Sequence, residues 1–189
     1  MSAAAGTTLG ILAGGRATRL GGRDKAWLER DGRPLVLALA GTLAPRVDAV
    51  LVAANADLPR YAAHGLHAVP DRIAGIGPLG GLDALAAACT TPWLLTVPVD
   101  LLAVPDGLPE ALRAAGPRGA CAEDDDGVQP LVALWPVAAL RAALAPALAS
   151  GDHSARALQA RLGMGRVRFA GVRFGNLNTP ADLAAAGIA

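Results

Sequence analysis

Short apolar runs alternate along the chain with longer stretches rich in alanine and leucine. The runs of strand length, each bounded by turn-forming residues, are 8–13, 49–53, 66–69 and 93–99. The stretches 34–43 and 78–88 have helical length and begin with proline, which the first turn of a helix tolerates. Because buried strands that alternate with helices form parallel sheets, this half of the chain predicts an α/β fold with a largely parallel sheet.

The second half shows a different pattern, in which two apolar runs flank an acidic turn. The runs are 119–123 and 129–135, and the aspartates and glycine of 124–127 predict a hairpin turn between them. The other predicted elements are helices over 137–149 and 155–162, a strand near 167–169 and a terminal helix from Pro180.

Length and composition indicate one globular domain, since the 189 residues are 53% hydrophobic and 17% charged. Lys and Arg number 17 against 16 Asp and Glu, which leaves no excess positive charge for nucleic acid or an anionic membrane surface. No apolar stretch is long enough to span a bilayer, so we expect a soluble cytoplasmic protein without nucleic-acid or membrane partners. Cys89 and Cys121 fit no metal-binding spacing, which favours buried free thiols.

A glycine-rich loop that carries several cations follows the first predicted strand, where residues 12–25 read LAGGRATRLGGRDK. Ligands of open α/β sheets bind at the carboxyl ends of the strands, so a site is expected here. Gly14 and Gly15 let the backbone approach a phosphate, and Arg19 and Lys25 supply positive charge. The spacing of this loop fits neither the Walker A signature, GxxxxGK[ST], nor the dinucleotide-binding signature, GxGxxG. A flexible surface loop with solvated arginines is the alternative.

A second glycine cluster fits the spacing of a dinucleotide-binding loop. Gly75, Gly77 and Gly80 form GxGxxG, and Asp100 follows 20 residues after the last of them. An NAD-dependent oxidoreductase is therefore an alternative. Against it, Pro78 occupies the tight turn, and the first glycine loop would have no role.

A single carboxylate, Asp100, follows the apolar run 93–99. A carboxylate at a strand end beside a phosphate loop is a usual ligand of Mg²⁺, which completes its shell with phosphates and water. Capping of the following helix is the structural alternative.

Other polar clusters have mainly structural interpretations. His64 and His67 have no third metal ligand nearby, so we expect a solvated loop. The acids of 123–126 are expected to form a solvated hairpin tip. Asn176 and Asn178 have amides that can bond the edge of a ligand ring or a phosphate, or else cap the terminal helix.

These motifs resemble those of the MobA family of molybdenum cofactor guanylyltransferases. The first loop is similar to the family's LAGGxxxRMGGxDK, and residues 174–183, FGNLNTPADL, are similar to its FxNxNTPxDL. Asp71 and the segments 77–81 and 98–100 also match, so the resemblance covers nearly the whole chain.

The resemblance implies a three-layer, Rossmann-like nucleotidyltransferase fold in one domain, 1–189, with a nucleotide-binding half, 1–105, and an acceptor-binding half, 106–189. It implies transfer of GMP from GTP to Mo-molybdopterin with release of pyrophosphate, the use of Mg²⁺, and transient contact with proteins that deliver the cofactor. The chain departs from the family at Ala53, where Asn is frequent, and at Gln129, where His is frequent.

The resemblance also implies roles for individual residues. Arg19, Lys25 and Asp100 are the expected catalytic residues, with Asp100 as the metal ligand, and Asn176 and Asn178 are expected to bind the acceptor. The residues expected to bind the nucleotide are Leu12, Ala13, Gly14, Gly15, Lys25, Asp71, Pro78, Leu79, Gly80 and Asp100. The Leu79 side chain is expected to lie against the base.

Three further alternatives remain at this point: a cytidylyltransferase acting on the same acceptor, a sugar-phosphate nucleotidyltransferase, and a non-catalytic GTP-binding regulator. Relatives that use pyrimidine nucleotides generally carry LAAG in the first loop. The glycine pair Gly14-Gly15, where those relatives have Ala-Gly, therefore favours a purine nucleotide.

Overall fold

The computed structural model describes residues 6–14, 24–175, 177 and 180–188. Its strands are β1 (Thr7–Leu12), β2 (Glu29–Arg30), β3 (Arg33–Pro34), β4 (Ala49–Ala53), β5 (His67–Val69), β6 (Trp93–Pro98), β7 (Ala120–Asp124), β8 (Gly127–Pro136) and β9 (Gly165–Arg168). Its helices are α1 (Leu35–Leu43), α2 (Leu58–Ala63), α3 (Pro78–Ala88), α4 (Leu108–Ala114), α5 (Val137–Ala149), α6 (Ala155–Leu162) and α7 (Pro180–Ala185).

The main sheet has seven strands in the order β5-β4-β1-β6-β8-β7-β9. The pairs within β5-β4-β1-β6 are parallel. β8 lies antiparallel to both β6 and β7, and β9 is parallel to β7. Strands β2 and β3 form a separate antiparallel ribbon. The sheet is therefore mostly parallel on one side and changes direction at β8.

Apolar side chains pack on both faces of the sheet. Along β1, Leu9 and Ile11 belong to a cluster that includes Val36 and Leu39 of α1. Leu12 belongs to the opposite cluster, which includes residues of α3, α5 and α6. Successive side chains of a strand point to opposite faces, so this alternation places helices on both sides of the sheet. The expected three-layer α/β fold is confirmed.

Most predicted elements are found within two residues of their expected ends. The first helix begins at Leu35 because Pro34 pairs with Glu29 in the β2–β3 ribbon. Helices α2 and α4 were not predicted, since each is short and has proline in its first turn. Within the described ranges, no helix combines the length and apolar character that crossing a membrane requires.

Candidate functional site

Backbone hydrogen bonds continue past the ends of the parallel strands and align the loops that follow them. The N–H of Ala13 donates to the carbonyl of Ala53 at 2.9 Å, and the N–H of Val99 donates to the carbonyl of Leu12 at 3.0 Å. These bonds hold the beginning of the glycine loop between the loops after β4 and β6. Side chains that follow different strands therefore meet at one edge of the sheet.

A cavity of about 360 Å³ opens at this edge, a size typical of sites for small molecules. One part of its lining comes from the loop after β1 and the start of α3, namely Leu12, Ala13, Gly14, Asp71, Gly77, Pro78 and Gly81. A second part carries the charged groups, with Asp24, Lys25, Pro98, Val99 and Asp100. The opposite wall is the beginning of β8, with Gln129, Pro130, Leu131 and Val132.

The structure brings the predicted Lys25 and Asp100 together at the carboxyl end of β6. Lys25 Nζ lies 3.0 Å from Asp100 Oδ2, and their side chains are only 24% and 11% exposed. Both residues line the cavity. A cation donor and a carboxylate thus lie in contact where a phosphate and a divalent metal ion are expected.

A local network holds the turn that carries Lys25. Asp24 begins a 3₁₀ turn over Lys25–Trp27 and accepts a hydrogen bond from the N–H of Ala26 at 3.0 Å. The buried Tyr61 hydroxyl donates to the other carboxylate oxygen of Asp24 at 3.4 Å, and the Tyr61 ring lies 4.9 Å from that of Trp27. Burial, together with the negative charge of Asp24, raises the pKa of Tyr61 above its ordinary value, so the phenol remains a neutral donor.

Asn55 holds the predicted residue Asp71 by two hydrogen bonds. Its Nδ2 donates to Asp71 Oδ2 at 2.9 Å, and its Oδ1 accepts from the Asp71 N–H at 2.8 Å. The other carboxylate oxygen, Asp71 Oδ1, is buried and has no hydrogen-bond partner in the described part of the chain. Asn55 was not predicted, although a polar residue just after a buried strand was an available signal.

The glycines at the start of α3 make room for the Asp71 carboxylate. A Cβ on Gly80 would lie 2.8 Å from Asp71 Oδ2, and a Cβ on Gly81 would lie 3.0 Å from a methyl carbon of Leu12. These distances are too short for any side chain without movement of the neighbours. Gly80, which was predicted to bind the nucleotide, is buried and is not among the residues that line the cavity, and its lack of a side chain lets α3 pack closely against Asp71.

The expectation that the Leu79 side chain faces the base is corrected by the structure. Leu79 is fully buried and packs in the apolar cluster with Leu82 and Leu85 of the same helix. Its position on α3 directs the side chain toward the sheet, away from the solvent-facing turn. Leu79 therefore does not line the cavity, whereas the neighbouring Pro78 does.

The expectation of a solvated acidic hairpin tip is wrong for Asp124, which is fully buried. Its carboxylate accepts hydrogen bonds from Gln129 Nε2 at 3.0 Å and from the Phe174 N–H at 2.9 Å. Burial alone would raise the pKa of this carboxyl, but these hydrogen bonds and others from backbone N–H groups outweigh it and lower the pKa below its ordinary value. Asp124 is therefore an internal anion.

A larger groove, of about 870 Å³, lies between α3 and α5 on the outer side of the molecule. Its charged groups satisfy one another, since Arg72 bonds both carboxylate oxygens of Asp83 at 2.8 and 2.6 Å. Arg141 donates to the carbonyls of Ala86 and Cys89 at the end of α3. Such pairing stabilises the helix packing, so the groove is not the candidate site.

His64 and His67 are exposed.

Some predicted site residues lie outside the described residues, namely Gly15, Arg19, Asn176 and Asn178. Their roles stay predictions. The wall at 129–132 was not predicted as part of the site, because its place depends on β8 lying antiparallel to β6.

The MobA-like NTP transferase domain matches residues 9–167. The molybdenum cofactor guanylyltransferase of Cereibacter sphaeroides is 43% identical over 182 residues, which make up 93% of this chain and 93% of that protein. The family match begins within β1, ends within β9 and includes every described residue of the cavity.

Two solved structures are similar in fold. Molybdopterin-guanine dinucleotide biosynthesis protein A from Archaeoglobus fulgidus has a TM-score of 0.72 at 20% identity, with 95% of this chain and 96% of that chain covered. The 2-C-methyl-D-erythritol 4-phosphate cytidylyltransferase from Thermus thermophilus has a TM-score of 0.69 at 20% identity, with 94% and 95% covered. At this identity the structural likeness demonstrates a common fold.

Proposed function

The chain belongs to the MobA-like NTP transferase family, and we propose that it transfers GMP from GTP to Mo-molybdopterin and releases pyrophosphate. The prediction of a nucleotidyltransferase is confirmed by this membership. The observation that carries the proposal is the Lys25–Asp100 pair, which lies in the cavity between the glycine loop and the wall formed by β8.

The reaction needs charge stabilisation and positioning rather than a protein nucleophile. A terminal phosphate oxygen of the acceptor attacks the α-phosphorus of GTP, and the bond from that phosphorus to the β-phosphate oxygen breaks. Lys25 Nζ donates hydrogen bonds to the phosphate oxygens as negative charge shifts to the leaving pyrophosphate. Arg19 is assigned the same task from its place in the glycine loop alone.

Asp100 suits a Mg²⁺ site because Mg²⁺ in nucleotide enzymes takes one or two carboxylates and keeps phosphate and water ligands. The residue is 8% exposed and lines the cavity beside Lys25. When bound, Mg²⁺ would neutralise charge on the phosphates. Lys25 would then exchange its contact with Asp100 for one with the nucleotide.

The base is assigned to the part of the cavity between the first loop and α3. Leu12, Ala13 and Gly14 supply backbone groups there, and Pro78 supplies an apolar surface. Asp71, held by Asn55, adds a carboxylate that accepts hydrogen bonds. Guanine carries N–H donors at N1 and N2, which match such acceptors, so we propose a preference for GTP.

The acceptor is assigned to the side of the cavity formed by β8, and Asn176 and Asn178 are proposed to bind it on the basis of the sequence alone. We therefore propose the division into a nucleotide-binding half, 1–105, and an acceptor-binding half, 106–189. The reaction would take place in the cytoplasm, with cofactor-delivery proteins as transient partners.

A pyrophosphate-release assay with GTP, CTP or ATP, with and without Mo-molybdopterin, tests the proposal. We expect release only when the acceptor is present and kcat/KM for GTP higher than for CTP by a factor that can reach about 10⁴. Equal kcat/KM for CTP would indicate a cytidylyltransferase. Stabilisation of the protein by GTP without any pyrophosphate release would instead indicate a GTP-binding regulator.

A further inference from the structure

The buried carboxylate of Asp124 lies at the junction of the hairpin and the C-terminal part of the chain. It is the last residue of β7 and is 0% exposed. Oδ1 accepts from Gln129 Nε2 and from the Asp126 N–H, both at 3.0 Å, and Oδ2 accepts from the Phe174 N–H at 2.9 Å. Within the described ranges, the Asp124 carboxylate accepts hydrogen bonds from N–H groups and forms no ion pair. The nearby Arg168 and Arg173 instead form ion pairs with Glu123, Asp125 and Asp126.

The bond to Gln129 determines how that side chain faces the cavity. Only the NH₂ group of an amide can donate to a carboxylate, so the Gln129 NH₂ is committed to Asp124. The amide oxygen, Oε1, is left on the other side of the amide. Because Gln129 lines the cavity wall opposite Gly14, this oxygen is an acceptor available to an N–H donor of a ligand.

The hydrogen bond from Phe174 also links Asp124 to the loop that follows β6 and contains Asp100. The Phe174 carbonyl accepts from the N–H groups of Leu102 and Ala103 at 2.8 and 3.2 Å, just after Asp100. Phe174 is fully buried and leads directly toward Asn176 and Asn178. One carboxylate thus joins the cavity wall, the segment predicted to bind the acceptor, and the loop after Asp100.

We propose that Asp124 is a positioning residue for the acceptor, and that Gln129 Oε1, held in place by Asp124, accepts a hydrogen bond from a ring N–H of the pterin. This inference rests on the proposed function. Because the nucleotide is assigned to the opposite side of the cavity, loss of the arrangement should raise KM for the acceptor and leave GTP binding unchanged.

Steady-state kinetics of Asp124→Asn test this role. The asparagine side chain has nearly the same shape as aspartate, but its NH₂ group cannot accept a hydrogen bond. One of the two sets of N–H donors around Asp124 therefore loses its acceptor. We expect KM for Mo-molybdopterin to rise by up to about tenfold, the upper end of the range for loss of one hydrogen bond between neutral groups, while KM for GTP changes less than about twofold. Asp126→Asn removes the same charge from an exposed residue of the same turn and should leave both KM values unchanged.

Gln129→Ala serves as the second variant, since it keeps the Asp124 bonds to the backbone and so preserves the fold if Asp124→Asn does not. Gln129→Ala is expected to reproduce the rise in KM for the acceptor. An equal rise in both KM values, or no rise with either variant, would overturn the positioning role.

Binding of metal-free molybdopterin, followed by its pterin fluorescence, separates this inference from the proposed function. If the wild-type protein binds the pterin but transfers no GMP, the proposed function is wrong, and the positioning role is then decided by affinity. A loss of about tenfold in Gln129→Ala supports that role, and unchanged affinity overturns it.

Discussion

The parallel and antiparallel parts of the sheet hold their charged groups in different ways. In the loops beyond the parallel strands, Lys25 pairs with Asp100 and Asn55 pairs with Asp71, and Lys25, Asp71 and Asp100 line the cavity. In the hairpin, Asp124 is bound by backbone N–H groups as well as by one amide side chain. Side-chain pairs can exchange a partner for a ligand, whereas backbone groups held by the fold cannot.

This difference separates the two kinds of effect that substitutions should have. Changes at the ends of the parallel strands should reduce binding or turnover and leave the free energy of unfolding nearly unchanged. Changes inside the antiparallel part should lower the free energy of unfolding or move the cavity wall at the beginning of β8, to which the acceptor is assigned.

The largest effect is expected from Asp100→Asn, which keeps the shape of the side chain and removes its charge. We expect kcat for GMP transfer to fall by about 10²–10³, as for loss of one essential electrostatic contact. The melting temperature should stay close to that of the wild type, because the residue faces the cavity. Turnover above about a tenth of the wild-type value at saturating Mg²⁺ would contradict the assignment.

Lys25→Met should weaken GTP binding by about 10- to 100-fold, since it removes a charge-assisted hydrogen bond to phosphate. Calorimetry measures this loss, and an unchanged dissociation constant would remove Lys25 from the site. Lys25 is also the only lysine in the sequence. Amine acylation is therefore confined to Lys25 and the amino terminus, and GTP should protect Lys25.

A stability effect is expected within the antiparallel part from Thr96→Val. The buried Trp135 indole N–H donates to Thr96 Oγ1 at 2.8 Å and would lose its acceptor. The free energy of unfolding should fall by about 1–3 kcal/mol, with kcat unchanged. Urea denaturation measures the change, and the exposed Thr42→Val serves as the control. A loss of activity without a loss of stability would contradict the separation of the two regions.

Asn55→Ala should raise KM for GTP about fivefold, equivalent to roughly 1 kcal/mol, because Asp71 loses its support. The free energy of unfolding should change little, since Asn55 is exposed. Asp71→Asn is the companion variant. If Asn55→Ala lowered the free energy of unfolding and left KM for GTP unchanged, the Asn55–Asp71 pair would have only a structural role, as the contacts of the hairpin do.

The smallest effect concerns Tyr61, whose pKa is raised by burial above the ordinary value near 10. The folded state keeps the phenol proton that the unfolded state loses, so stability is fully present below pH 10 and falls as pH rises above it. At pH 10.5 the loss should be about 0.8 kcal/mol. Tyr61→Phe should lack this loss in denaturation measurements. Tyr61 is the only tyrosine, so phenolate absorbance also reports its titration directly.

The sequence allowed prediction of features that depend on neighbouring residues. Buried runs of strand length identified β1, β4, β5 and β6. The glycine-rich loop after β1 made Lys25 a candidate site residue, and the position just after β6 made Asp100 one. Each of these predictions used only a short stretch of sequence. A short stretch was sufficient because the carboxyl ends of parallel strands meet at one edge of the sheet, where ligands bind.

Features that depend on distant parts of the chain were not predictable in this way. Gln129 reaches the cavity because β8 lies antiparallel to β6, an order of strands that no local pattern contains. Asp124 looked solvated among other acids, and its burial depends on the N–H of Phe174, 50 residues later. Leu79 was misplaced because a position beside a glycine loop was given more weight than its orientation on α3.

The strand order also explains how one sheet keeps the two proposed binding regions apart. β6 pairs with a parallel neighbour, β1, on one side and with an antiparallel neighbour, β8, on the other. The loops proposed to bind the base and the wall proposed to bind the acceptor therefore lie on opposite sides of β6. The cytidylyltransferase from Thermus thermophilus has the same fold, so this frame is not confined to enzymes of molybdenum cofactor synthesis.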